Sequence, residues 1–185
     1  MFNIQVSNEI ILYAKKLLTK HNFGRRGVAD GNYDEQLTGL IGQCTIQRIF
    51  GFPLMTGEGG FDDGKDFIYA DKIIDVKTMG RTTNVRDYYV NNFIGLQKNY
   101  KTEVYIFCSL NKKTNILTVC GWVSKPQLFE RAKLYKKGTK RFRSDGTYFR
   151  TKADLYEIKN TGLNQVISPD DLKKQLKNDG KKVTN

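Results

Sequence analysis

A chain of 185 residues with 31 lysines and arginines against 19 acids carries a formal net charge of +12, and 39% of it is hydrophobic. That apolar share supports one folded domain without metal or disulfide staples and excludes a disordered chain. The charge excess points to a polyanion, of which nucleic acid is the commonest, against the alternative of a merely soluble basic protein.

No apolar run is long enough to span a membrane, and "MFNIQVSNEIILYAKK" lacks the uninterrupted apolar core of a signal peptide. A cytoplasmic protein is expected. Cys44, Cys108 and Cys120 are odd in number, far apart and set among apolar neighbours. They read as core residues in a reducing compartment rather than a disulfide frame or zinc site. The only histidine is His21, which argues against a histidine-metal nuclease, a Ser-His-Asp hydrolase and most zinc hydrolases.

In chain order, "SNEIILYAKKLLTK" reads as a helix capped by Ser7, with Ile10, Ile11, Ala14, Leu17 and Leu18 at helical spacing. "HNFGRRGVADGN" is a loop carrying Arg25 and Arg26. A second helix spans about 34–50, with Leu37, Leu40, Ile41 and Cys44 as its apolar stripe and Gly51 and Pro53 ending it. After the loop "TGEGGFDDG", "GKDFIYADKIIDVKT" reads as a hairpin. "RTTNVRDYYVNNFIGLQKNY" is polar and aromatic, without a clear periodicity. "EVYIFCSL" and "NILTVCGWV" are strands joined by "NKKT", and "SKPQLFERAKLY" is a short helix. A basic segment fills 131–152, and 168–185 starts as a capped helix and frays. With no repeat or linker, the reading is one domain over 1–185, α/β in the α+β sense, with a central mixed sheet flanked by helices.

"GGFDDGK" has the spacing of a phosphate-cradling loop but fails on chemistry. Asp66 stands where Ser or Thr would hold magnesium, no apolar strand leads in, and Asp62 and Asp63 would repel phosphate. Both aspartates read better as a solvated turn.

The hairpin carries more. Side chains alternate along a strand, so Asp75 and Lys77 share a face while Ile74 and Val76 take the other. A two-residue turn at Asp71 and Lys72 would set Ile68 opposite Asp75 and Asp66 opposite Lys77, placing both carboxylates diagonally on one face. Two carboxylates so placed can hold a hard cation such as Mg2+, with Mn2+ as the alternative, and a lysine beside them can orient water or steady a phosphate charge. The same triplet also suits a hairpin with a charged outer face. Thr78 follows the lysine; phosphate contact and strand propensity explain it equally.

Asp66, a strand turn and "IIDVKT" together resemble the PD-(D/E)XK nuclease superfamily, in which an Asp precedes an acid, any residue and Lys on a hairpin of the central sheet. "DEQLTGLIGQCTIQRIFG" resembles the preceding helix, and "EVYIFCSLNKKTNILTVCGWVSKPQLF" the later strands and helix of restriction-type and phage-encoded members. The resemblance covers roughly 34–129 and implies a restriction-endonuclease-like core. It implies Asp66, Asp75 and Val76 as metal ligands and Lys77 as the residue that positions the attacking water. The family's helix acid is replaced by Gln43 in the pair Gly42-Gln43; Glu35, eight residues earlier and turned by about 80° on the helix, is the acidic substitute.

Arg81, Arg86, Tyr88 and Tyr89 follow the hairpin, where basic and aromatic side chains suit a passing strand; core packing is the other reading for the tyrosines. Segment 131–152 has nine cations against one acid, among them Lys136, Lys137, Lys140, Arg141 and Arg143, interleaved with Tyr135, Phe142, Tyr148 and Phe149. It is the clearest nucleic-acid footprint. Trp122 reads as a core anchor. The expectation is a metal-dependent endodeoxyribonuclease acting on DNA, with a homodimer as a way to reach both strands of a duplex. A non-catalytic DNA-binding protein on the same scaffold and an RNA-directed nuclease are the alternatives.

Overall fold

The structure is a computed structural model that describes residues 1–23, 31–58, 64–142 and 146–179. A short strand β1 (Phe2–Gln5) leads into helix α1 (Asn8–Lys20), whose N-cap Ser7 accepts from the Ile10 N–H, as its sequence predicts. Ile10, Ala14 and Leu17 form its buried stripe. Helix α2 (Tyr33–Phe50) opens on a capping box between Asn32 and Glu35 and closes at Gly51, whose φ of 78° is a conformation favouring glycine. The hairpin is β2 (Phe67–Tyr69) and β3 (Lys72–Arg81). Next come β4 (Val90–Ile94), β5 (Val104–Asn111), β6 (Ile116–Ser124), α3 (Lys125–Arg131) and β7 (Lys133–Tyr135). The ribbon β8 (Lys140–Phe142) and β9 (Tyr148–Arg150), strand β10 (Leu155–Lys159) and helix α4 (Pro169–Asn178) complete the chain.

The central sheet has the order β1-β6-β5-β3-β2, mixed because β3 and β5 run parallel while the other neighbours are antiparallel. Every residue of β5 is buried, as expected of a central strand covered on both faces. One face, with Ile74, Val76, Val104, Ile106 and Cys108, packs against Ala14 of α1, Ile41 and Cys44 of α2, and Leu172 and Leu176 of α4. The opposite face, with Tyr105, Phe107, Cys120 and Val123, packs against Leu128 of α3 and Phe93, Tyr156 and Ile158 of a second sheet. That sheet has the order β4-β10-β7. The expected α+β architecture, a mixed sheet flanked by helices, is what the chain adopts.

Three local readings change. The helix expected over "SKPQLFERAKLY" stops at Arg131, because Ala132 turns extended and the next three residues pair with β10. The chain after β3 forms β4, whose Asn91 and Phe93 are buried while its other residues are half-exposed. The hairpin turns at Ala70 and Asp71, with φ of 49° and 59°, rather than at Asp71 and Lys72. Trp122 is a core anchor as expected, its indole N–H donating to Gln175 Oε1 at 2.9 Å. Among the described residues no helix is long and apolar enough to cross a membrane.

Candidate active site

The turn position sets the register. Tyr69 faces Lys72, Ile68 faces Ile73 and Phe67 faces Ile74, two residues away from the expected pairing. The ladder is then offset at Asp66, whose N–H donates to the Ile74 carbonyl at 2.9 Å although Ile74 already faces Phe67. Such a bulge re-aims the residue it contains, so strand alternation no longer dictates where Asp66 points. Its carboxylate accepts from the Val76 N–H at 2.7 Å. Asp66 therefore meets β3 between Asp75 and Lys77, through the backbone.

The backbone direction of Val76 follows from its neighbours. The Ile73 and Arg81 carbonyls accept from Glu103 and Lys112 at the two ends of β5. By alternation the polar backbone groups of Ile74, Val76 and Thr78 face the β2 side. Paired β2 begins only at Phe67, so the Val76 carbonyl looks toward the edge that Asp66 occupies. Val76 can offer a cation only that oxygen, its side chain being buried in the helix-side core.

Asp75 and Lys77 take the other face, as strand alternation predicts. Their side chains are 4% and 20% exposed and form an ion pair of 2.6 Å. Tyr105 lies directly across from Asp75 on the parallel strand, and burial, then the Asp75 charge, raise its phenol pKa above the usual range. Gly64 closes over the pair at φ 76°; a Cβ there would stand 2.7 Å from Thr102 Oγ1 and 3.1 Å from Asp75 Oδ2. The Thr102 hydroxyl fastens that loop by donating to the Gly64 carbonyl at 2.6 Å. Sequence reasoning missed Gly64, Thr102 and Tyr105, because their approach depends on the β3–β5 pairing.

Helix α2 reaches the site from the opposite side. A Cβ on Gly42 would lie 1.9 Å from Thr78 Oγ1, so glycine there lets helix and strand close together. Thr78 therefore faces α2, away from the side that Asp75 and Lys77 share. Gln47 donates to the Asp66 carbonyl at 3.2 Å, and Cys44 has its thiol pushed up to about 12 by burial and then by the Asp66 charge. Gln43, 9% exposed, stands one turn before Gln47 on the same helical face. Glu35 does not join them. Its carboxylate accepts from the Asn32 N–H in the capping box, two turns away at the start of α2.

Asp66, Asp75, the Val76 carbonyl and the Gln43 amide are hard oxygen donors of the kind that suits Mg2+ or Mn2+. Among the described residues no group of three or more His, Cys, Asp or Glu converges on one point. Among the described residues a cation here would draw on at most two carboxylates, which suffices for Mg2+ when water and phosphate oxygens complete its shell.

The basic residues fall into three situations. Arg81 is half-buried, donating to the Val90 carbonyl at 2.8 Å and lying 4.5 Å from the Tyr89 ring centre, and burial lowers its pKa. Arg141 is clamped to Glu157 at 2.6 and 3.2 Å. Arg86, Lys137 and Lys140 are exposed, as is Lys136, which pairs with Asp154 at 3.0 Å. The Asp154 carboxyl is held below its usual pKa by the Lys137 N–H and then by Lys136. Tyr88 is exposed. Arg25, Arg26, Asp62, Asp63 and Arg143 lie outside the described residues.

No protein-family model matches this chain, and neither does a curated protein or a solved structure.

Proposed function

We propose that the protein is a divalent-metal-dependent endodeoxyribonuclease of the PD-(D/E)XK type. The carrying observation is the ion pair of buried Asp75 with half-buried Lys77 on β3 around Val76, whose N–H the Asp66 carboxylate covers. A carboxylate as buried as Asp75 requires a well-placed partner or a task. In the proposal Asp66, Asp75 and the Val76 carbonyl hold the cation, with Gln43 reaching it directly or through water. The cation would supply Lewis-acid stabilisation of the charge that grows on the phosphoryl oxygens. Lys77, paired with Asp75 at 2.6 Å, would orient the attacking water toward phosphorus and steady the developing charge. Water adds to phosphorus as the bond to the leaving sugar oxygen breaks; the attacking water releases a proton to solvent and the leaving oxygen takes one up from solvent, so the step balances. Lys136, Lys137 and Lys140 would neutralise phosphates along the substrate. A homodimer would bring two such sites to a duplex, and a cytoplasmic setting belongs to the same proposal.

Gln43 favours a second reading. An amide where the family places an acid weakens cation binding, as in a DNA-binding protein that keeps the scaffold without the chemistry. Incubation with plasmid DNA in Mg2+ or Mn2+, alongside Asp75→Ala and Lys77→Ala, separates the two. Cleavage by the parent chain, lost in both variants while DNA binding persists, supports the enzyme. Binding without cleavage in either metal supports the second reading, and cleavage of RNA alone redirects the proposal to an RNA-directed nuclease.

A further inference from the structure

The ribbon of β8 and β9 has two unlike faces. Its register pairs Lys140 with Arg150, Arg141 with Phe149 and Phe142 with Tyr148. Directly opposed residues share a face, so Lys140, Phe142, Tyr148 and Arg150 lie together on one side. Arg141, on the other side, clamps Glu157 of β10 and stacks 3.9 Å from the Tyr135 ring centre, fixing that side to the body of the protein.

The remaining face is unfavourable by itself. Phe142 and Tyr148 are 63% and 54% exposed, with ring centres 6.2 Å apart. The Lys140 ammonium sits 4.1 Å from the Tyr148 ring centre and 4.8 Å from that of Phe142. Lys140 and Arg150 are like charges directly opposed, which is destabilising in an isolated ribbon. Among the described residues neither is paired with an acid. The Lys140 contact with both rings is attractive, and Arg150 donates to the Gly138 carbonyl at 3.0 Å. Yet the rings stay exposed and the like charges stay without an acid; a partner with anions and flat apolar rings would cover the first and neutralise the second.

We infer that this outer face is a stacking platform for single-stranded DNA. Phe142 and Tyr148 take unpaired bases while Lys140 and Arg150 neutralise the flanking phosphates. Base faces are open in a single strand and closed in a duplex, which presents only edges and backbone. The inference deepens the nuclease reading by naming what the basic segment grips, and it requires no cleavage.

Fluorescence anisotropy in EDTA, with labelled oligothymidylate and a duplex of equal length, tests it. The expected result is tighter binding of the single strand at matched salt. Phe142→Ala and Tyr148→Ala each weaken single-strand binding on the order of ten-fold, and duplex binding changes little. Lys140→Ala weakens both and lowers the salt slope by about one unit or less. Because both rings face outward, the variants should keep the parent circular dichroism, and Phe142→Tyr should retain the affinity. Equal affinity for single strand and duplex, no effect of the double ring variant, or equal binding of inorganic polyphosphate would overturn the platform. Tighter binding of oligouridylate would overturn the DNA assignment. Intact plasmid with the single-strand preference preserved would sink the nuclease reading and leave the platform standing.

Discussion

The two faces of β3 carry opposite chemistry from one run of ten residues. Toward the helices it presents Ile74, Val76 and Thr78, packed so closely that α2 needs Gly42 at the crossing. Toward the second sheet it presents Asp75 and Lys77, flanked by Tyr105 on the neighbouring strand. Burying an aliphatic side chain stabilises by about 1.5–3 kcal/mol. Burying an ion pair roughly breaks even against a well-packed apolar pair, because desolvation offsets the attraction. A stable sheet therefore has reason for the first face and none for the second, which is why the charged face is where function is sought.

Substitutions on each face should separate these roles. Asp75→Ala should reduce plasmid cleavage by about 100-fold or more, if the positioning and charge at this site match ordinary catalytic contributions. Cleavage within two-fold of the parent would make the charged face purely structural. Ile106→Ala, on the helix-facing side of β5, should cost about 2–5 kcal/mol in a denaturant melt while cleavage per folded molecule stays near the parent value. Gly42→Ala should cost about 1–3 kcal/mol from the clash with Thr78, and Thr78→Gly in the same chain should recover part of it. An additive double variant would mean that the close approach of α2 is not what Gly42 provides. The smallest effect belongs to the ribbon. Arg141→Ala should lower stability by about 1 kcal/mol, since it leaves the largely buried Glu157 carboxylate without its clamp.

The helices were legible from local signals that survive in the fold. Ser7, Gly51 and Ser168 cap α1, α2 and α4 where their side chains or missing side chains demand it. Strands β5 and β6 were legible because their long apolar runs match a doubly covered strand. The short strands β7 and β10 were not, since their stability comes from pairing with each other and with β4 rather than from their own composition. Asp75 and Lys77 could be placed on one face by alternation alone. Asp66 could not, because a shift of the turn to Ala70 and Asp71 and the bulge that follows depend on backbone hydrogen bonds with β3.

By itself, the chain of residues determined what is local: caps, apolar stripes, the excess of positive charge and the two-residue period that unites Asp75 with Lys77. Only tertiary structure decided what is distant: that Tyr105 stands beside Asp75 and that Gly64 and Thr102 close over it. Local propensity acts through a residue's own backbone and near neighbours, whereas which strands meet, and in which register, is set by burying the whole sheet between its two cores.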